Sequence, residues 1–226
     1  MRPIVILTGG ATTALGQKSQ SLFFANTLFN YSPNQANAFK PTLGGFIGAE
    51  YSFSQVLAWQ FGAAFYQSVN SSSKGEETQA PILSLAAINT WNYQYKIVSR
   101  QLLAENKLLF TLHEHYRPYL IIGLGEGFNK SYKFQVTPQN QGEVATATFA
   151  SHNNKSFIYT TGLGLDVSIS NQLRLGAGYR FAYLGKYDLG KGILDTGAGG
   201  AIFYLPALES TYCFNHQAVI QLTYLF

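Results

Sequence analysis

Apolar residues recur at every second position through eight segments of the chain. That period places successive side chains on opposite faces of a β-strand. The segments run from Pro3 to Thr12, Phe39 to Phe53, Leu57 to Ser68, about Asn89 to Leu112, Arg117 to Phe134, Ser156 to Ile169, Gln172 to Lys186 and Thr211 to Phe226. Three connections are tight: Ser54-Gln55-Val56, His113-Glu114-His115-Tyr116 and Ser170-Asn171. Those at about 13–38, 69–88, 135–155 and 187–210 are long and rich in Gly, Ser, Asn, Gln and Lys. Short turns alternating with long loops predict one domain over residues 1–226, an eight-stranded antiparallel up-and-down transmembrane β-barrel. Its short turns would be periplasmic and its long loops extracellular, with both termini on the periplasmic side.

Parity assigns the faces. In the seventh segment Leu173, Leu175, Ala177, Tyr179, Phe181 and Tyr183 oppose Arg174, Gly176, Gly178, Arg180 and Ala182. In the sixth, Phe157, Tyr159, Leu163, Leu165 and Val167 oppose Thr160, Gly162, Gly164, Asp166 and Ser168; in the third, Leu57, Trp59, Phe61 and Phe65 oppose Gln60, Gly62, Ala64 and Tyr66. A soluble barrel would turn the large apolar groups inward and a charged face to water. The weaker face here carries mostly Gly, Ala, Thr and Gln, so the large groups belong outside, against lipid. Glu126 shares the outward parity of Leu120, Ile122 and Leu124, which suits a position at the outer rim, where a carboxylate is cheaper than at the midplane. In the fourth segment Trp91, Tyr93, Tyr95 and Ile97 read as outward while Leu108, Phe110 and Leu112 have the opposite parity. A bulge between about Ser99 and Ala104 would reconcile them. The first segment is too uniformly apolar for its faces to be told apart.

Composition fits a surface that does not meet water. Charged residues make up only 12% of the 226, about half the usual share, while aromatics reach 15%. No run nears the roughly 18 to 20 apolar residues of a spanning helix, which leaves the closed barrel as the way to satisfy every backbone group in lipid. The first residues, Met1 to Leu7, are too short an apolar stretch for a secretory leader, so a leader is presumed removed. The net charge of +4 is too diffuse for a nucleic-acid footprint.

The last strand carries the sharpest signal. Phe226, Tyr224, Leu222 and Ile220 fall on one face, with the chain ending on the aromatic. This pattern resembles the assembly signal of Gram-negative outer-membrane barrels, and the resemblance implies recognition by the barrel-assembly machinery. The whole chain resembles the small eight-stranded outer-membrane family of opacity-type surface antigens and the OmpA transmembrane domain. Lys107-Leu-Leu, Arg117-Pro-Tyr-Leu-Ile-Ile-Gly-Leu-Gly and Gly176-Ala-Gly-Tyr-Arg-Phe carry that resemblance, across about half the barrel.

Candidate sites follow from parity. Glu50, Asp166, Arg174 and Arg180 belong in the lumen, with Glu105 and Lys107 beside them if the fourth segment bulges. Buried charges there must pair, so they are read as a polar plug. Lumen glycines would make room for Arg and Tyr. Tyr51, Phe53, Trp59, Trp91, Tyr93, Tyr116, Phe128, Tyr183 and Tyr224 would form interfacial girdles. Lys130, Lys133, Lys155, Lys186 and Lys191, beyond the outward ends of segments five to seven, are candidates for lipopolysaccharide phosphates. His113 and His115 share a turn without a third metal ligand. His152 lies in a loop, and His216 has lipid-facing parity but no His-x-Ser motif of the kind used by lipid A-modifying enzymes. The expectation is a monomeric, non-enzymatic outer-membrane surface protein, structural and adhesive through its loops, with no cofactor and no nucleic-acid partner. The first loop (Leu22-Phe-Phe, Leu28-Phe-Asn-Tyr31) is the foremost candidate contact surface for a host ligand. A narrow pore is the alternative, and a lipid A enzyme a more distant one.

Overall fold

A computed structural model describes residues 1–15, 19–24, 26–34, 39–81, 89–113, 115–138, 147–195, 202–210 and 213–226. Its strands are β1 (Arg2–Leu15), β2 (Gln20–Phe24), β3 (Thr27–Pro33), β4 (Lys40–Ser52), β5 (Leu57–Pro81), β6 (Asn89–Phe110), β7 (Tyr116–Pro138), β8 (Ala147–Phe149), β9 (His152–Ser168), β10 (Leu173–Gly185), β11 (Gly192–Asp195), β12 (Ile202–Leu205) and β13 (Cys213–Leu225). Eight of them close on themselves in the order β1-β4-β5-β6-β7-β9-β10-β13, every neighbour antiparallel. The seam joins the two ends of the chain: Ile4 pairs with Leu225, and the Phe226 amide donates to the Pro3 carbonyl at 3.0 Å. Closure leaves no open edge among the staves, the condition for a sheet in lipid.

The tight turns share local chemistry. Ser54 Oγ accepts from the Val56 and Leu57 amides, and Ser170 Oγ accepts from those of Gln172 and Leu173. A serine hydroxyl thereby stands in for a backbone acceptor at both reversals.

Within the membrane-spanning height the faces follow parity. Leu7, Leu43, Ile47, Leu120, Ile122, Leu163 and Ile220 are exposed on the outside. The uniform first strand resolves: Ile4, Ile6, Thr8 and Thr12 point inward and Leu7 outward. Aromatic girdles bound this belt. Tyr51, Phe53, Trp59 and Phe61 pack in series at the turn end, with successive centroids 5.0, 6.4 and 4.6 Å apart. Tyr159, Tyr183, Phe214 and Phe181 do the same at the loop end.

β6 departs from the sequence reading. Its odd residues point inward from Trp91 to Leu109 without interruption, and it carries no bulge between Ser99 and Ala104. Trp91, Tyr93, Tyr95 and Ile97 are buried inside and take no part in a girdle. The irregularities sit on its neighbours. β5 holds an extra residue between Ser68 and Ser71, and β7 one opposite Gln94 to Lys96. Lys133 takes up the second with a left-handed φ of 56°.

Above the belt the loops are folded. β5 continues to Pro81 rather than ending at Ser68, and β3 pairs with its upper part from Gly75 to Pro81. β2 and β3 form a hairpin, and β8, β11 and β12 form a small sheet drawn from the two last loops. Inside lies an apolar core that includes Leu22, Phe29, Tyr31, Tyr93, Phe149, Leu184, Leu194 and Leu205. It lies above two smaller clusters in the lumen, one around Phe46 and Tyr66, the other around Leu109 and Tyr119. The described residues of the loops form a packed cap over the barrel.

Candidate functional site

Among the described residues six charged side chains are buried in the lumen, three acidic and three basic, and a half-buried seventh, Arg117, donates to Ser168 Oγ at 3.2 Å at its turn end. Glu50, Glu105, Lys107, Asp166, Arg174 and Arg180 are each at most 5% exposed. Arg174 on β10 reaches across to Glu50 on β4, donating from Nη1 to Oε2 at 2.5 Å and from Nη2 to Oε1 at 2.8 Å. Gln60 Nε2 donates to the same carboxylate at 2.7 Å. This two-point geometry is the strong form of the arginine–carboxylate pair. Lys107 on β6 reaches past β7 to Asp166 on β9, with Nζ 2.7 Å from Oδ2, and donates to Gln221 Oε1 at 3.0 Å. The Tyr119 ring lies under its ammonium, 3.8 Å from Nζ to centroid.

The third set has no direct ion pair. Glu105 accepts from the Tyr66 hydroxyl at 3.0 and 3.2 Å, while the Arg180 guanidinium stacks on the Tyr66 ring at 3.6 Å. Arg180 also donates to Gln217 at 3.3 Å and Gln101 at 3.2 Å. One tyrosine thus links an acid and a base that do not touch. Glycine makes the arrangement possible: a Cβ at Gly44 would overlap the Tyr66 ring, and one at Gly164 or Gly178 would overlap the Tyr119 hydroxyl. The uncharged members, Gln60, Tyr66, Gln101, Tyr119, Gln217 and Gln221, were not singled out from sequence. Their signal was there, since each lies on the inward parity of its strand.

The residues of the terminal pattern, Ile220, Leu222, Tyr224 and Phe226, form one outward stripe, 41 to 63% exposed, beside the seam. The candidate lysines divide. Lys130 and Lys155 face outward at the loop end of the belt and line a groove of about 700 Å³ with Arg100, Phe128 and Tyr132. Lys133, Lys186 and Lys191 do not line it: Lys133 is the bulge residue of β7, and the other two follow β10. Arg100, which the sequence reading passed over, is the cross-strand neighbour of Phe128, itself the neighbour of Lys155.

The histidines stay apart. His113 and His115 lie at a turn, and His152 is exposed at the start of β9. His216 faces outward with Nδ1 2.5 Å from the Tyr179 hydroxyl and its ring against Phe181. Among the described residues no three His, Cys, Asp or Glu side chains are placed to hold a metal.

In the cap, the aromatics of the first loop split between faces. Leu22, Phe29 and Tyr31 point into the core, whereas Phe23 and Leu28, paired across the hairpin, are 62% and 37% exposed. On the small sheet Ile193 pairs with Tyr204, and both are exposed, as is Ile202. Gln20 ties the hairpin to the last loop through the Ala207 carbonyl and the Glu209 amide. Glu77 on β5 is wholly buried beneath the hairpin, where burial pushes its carboxyl up to about 7 despite a bond from Gln79 Nε2 at 2.8 Å. Burial likewise pushes the Cys213 thiol up to about 12.

No protein-family model matches the sequence, and no curated protein matches it. Solved structures do. The outer membrane protease OmpT from Escherichia coli superposes with a TM-score of 0.55 over 100% of this chain and 97% of its own, at 8% identity. OprG from Pseudomonas aeruginosa gives 0.49 over 100% and 96% at 12% identity, and the Neisserial surface protein A gives 0.45 over 99% and 97% at 10%. At these identities the likeness to OmpT is one of fold. With each stave bonded on both sides and the apolar face turned outward, lipid is the medium this fold requires, and the chain is an eight-stranded β-barrel of the bacterial outer membrane.

Proposed function

We propose that this barrel is a non-enzymatic surface protein that presents a folded cap to a ligand on a host surface. The observation that carries the reading is the cap's outer face: Phe23, Leu28, Ile193, Ile202 and Tyr204 are exposed on strands above the lipid belt. Apolar groups that neither core nor membrane covers mark a contact surface. The cap's own apolar core holds them in fixed positions, so binding would not have to order a loop.

The lumen supports a structural role. An eight-stranded barrel is only wide enough to be filled by side chains, and here a layer of paired charge lies beneath the apolar cap. A conducting path would have to separate Arg174 from Glu50 and Lys107 from Asp166. The outward stripe from Ile220 to Phe226 is where the barrel-assembly machinery would grip the chain. His216 is occupied by Tyr179 and aromatic rings, which favours a girdle role over lipid A chemistry.

The test is adhesion of bacteria displaying the protein, compared with a Phe23→Ser/Ile202→Ser/Tyr204→Ser variant. The expected result is loss of host-cell binding with unchanged gel mobility of the unboiled barrel. Undiminished binding by the folded variant would remove the adhesive reading. Stable single-channel steps in planar bilayers that vanish in Arg180→Ala would replace the plug with a pore.

A further inference from the structure

The groove on the outer faces of β6, β7 and β9 lies outside everything the plug and cap explain. Its cations occupy successive rungs of one sheet surface: Arg100, Phe128 and Lys155 align across the three strands, with Val98, Lys130 and Asn153 in the next rung. Arg100, Lys130 and Lys155 are all exposed. Aromatic rings lie beside the two amines, Lys155 being 5.5 Å from the Phe128 centroid and Lys130 5.7 Å from that of Tyr132. Neither ion pair among the described residues involves them, since both are in the lumen.

Height says what the groove faces. The outward residues on β6 from Phe110 to Leu102 are apolar except Asn106, whose Oδ1 accepts from the Trp59 indole N–H at 3.2 Å. At about 3.3 Å per residue and a tilt of about 40°, that is roughly 20 Å of belt. Arg100 is the next outward residue, so the cations stand level with the headgroups of the outer leaflet rather than in the hydrocarbon or in free solution. Charge says what fits. With Lys96 beside Tyr132 one rung above and Glu126 one rung below, the net charge around the groove is +3, an excess of positive charge that suits a phosphomonoester carrying about −1.5 to −2 at neutral pH. Below the cations, Leu102, Leu124 and Phe157 offer exposed apolar surface continuous with the groove, as an acyl-bearing ligand requires.

We propose that this groove seats the phosphate of a phosphorylated glycolipid of the outer leaflet, with Arg100, Lys130 and Lys155 as its ligands and the belt below holding its acyl chains. Hydrogen bonds to charged groups are strong enough that removing one cation weakens binding about tenfold.

The test is native mass spectrometry of the refolded barrel with bisphosphorylated lipid A, its dephosphorylated counterpart, phosphatidylglycerol and inorganic phosphate. One bound bisphosphorylated lipid is expected. Its affinity should fall about tenfold in each of Arg100→Ala, Lys130→Ala and Lys155→Ala, and stay unchanged in Lys133→Ala and Lys191→Ala. Equal binding of the dephosphorylated lipid would overturn the proposal. So would equal binding of phosphatidylglycerol with the same response to the variants, or displacement by inorganic phosphate at equal concentration. Retained affinity in all three single variants would do the same; these residues are exposed, and the unboiled gel checks their folding. The cap variants that test adhesion leave this groove intact, so the two readings fail separately.

Discussion

Replacing Asp166 with Asn leaves Lys107 buried without its carboxylate. Lys107 is 2% exposed and Asp166 not at all, and they meet at 2.7 Å. What remains for the ammonium is Gln221 Oε1 at 3.0 Å and the face of Tyr119. A cation–π contact supplies at most about 2 kcal/mol when desolvated, whereas breaking one side of a buried pair costs about 3 to 5 kcal/mol. Asp166→Asn should therefore lose a few kcal/mol. Lys107→Met should lose as much, because it leaves a buried carboxylate whose Oδ1 already has no partner. The double variant should lose markedly less than the sum, since neutral groups of similar volume can replace a buried pair at little cost. Urea unfolding in lipid vesicles at pH 7, followed by tryptophan fluorescence, reads all four proteins, and an unchanged slope with a shifted midpoint would place the effect in stability. If Asp166→Asn unfolds within about 0.5 kcal/mol of the parent, Lys107 has found water. The sealed lumen would then be wrong as well as the pair.

In the cap, Glu77 should make stability pH-dependent. Its carboxyl is raised from an ordinary 4.5 to about 7, so the fold favours the neutral acid. That contribution is complete below 4.5 and is lost as pH rises through 7, by about 3 kcal/mol in total. Glu77→Gln should flatten the profile of hydrogen exchange in β3 and upper β5, and a slope that survives would refute the assignment. Cys213, its thiol pushed up to about 12 inside the cap core, should resist maleimide at pH 8 until denaturant opens the cap; prompt labelling of the native barrel would show a loose cap. Gly164→Ala should cost about 1 to 3 kcal/mol, because its Cβ would meet both the Tyr119 hydroxyl and the Ala177 carbonyl, measured by the same urea series, and no loss would show that both can give way.

The staves were legible because lipid outside and packed side chains inside impose opposite demands on alternate residues, and Leu175 beside Arg174 records both. The partners were not. Glu50 and Arg174 are 124 residues apart on strands that are not neighbours, and nothing local records a contact across a lumen. The groove shows the same limit: Lys130 and Lys155 drew attention near strand ends, but Arg100 sits within β6 and gains its meaning from Phe128 alongside. The cap was hidden for another reason. β8, β11 and β12 are three or four residues long, too short for a period to register, and upper β5 turns Ser73, Gly75, Glu77 and Gln79 inward, so no apolar face announces it.

β6 holds the more general lesson. Apolar residues occupy odd positions at its start and even positions at its end, and a change of parity is one way to explain that. The structure keeps the parity and changes the medium. Up to about residue 98 the odd side chains face the cap's apolar core while Asn92, Gln94 and Lys96 face water. From Ser99 the odd side chains meet the polar lumen, while Leu102, Leu108 and Phe110 face lipid. A straight strand that passes from water into a membrane, with an apolar cap core above a polar lumen, must exchange its polarity at the boundary, and here the exchange falls at Val98 to Gln101, the level of Arg100. Cysteine scanning in lipid vesicles, with Cys213 replaced by Ser, tests this directly. Cysteines at positions 92, 94 and 96 should react quickly with a charged aqueous maleimide, and those at 102, 104 and 108 should be at least tenfold slower and instead be quenched by lipid-borne probes. A boundary found near residue 104 would put the cations in water above the headgroups and refute the placing of Arg100 among them.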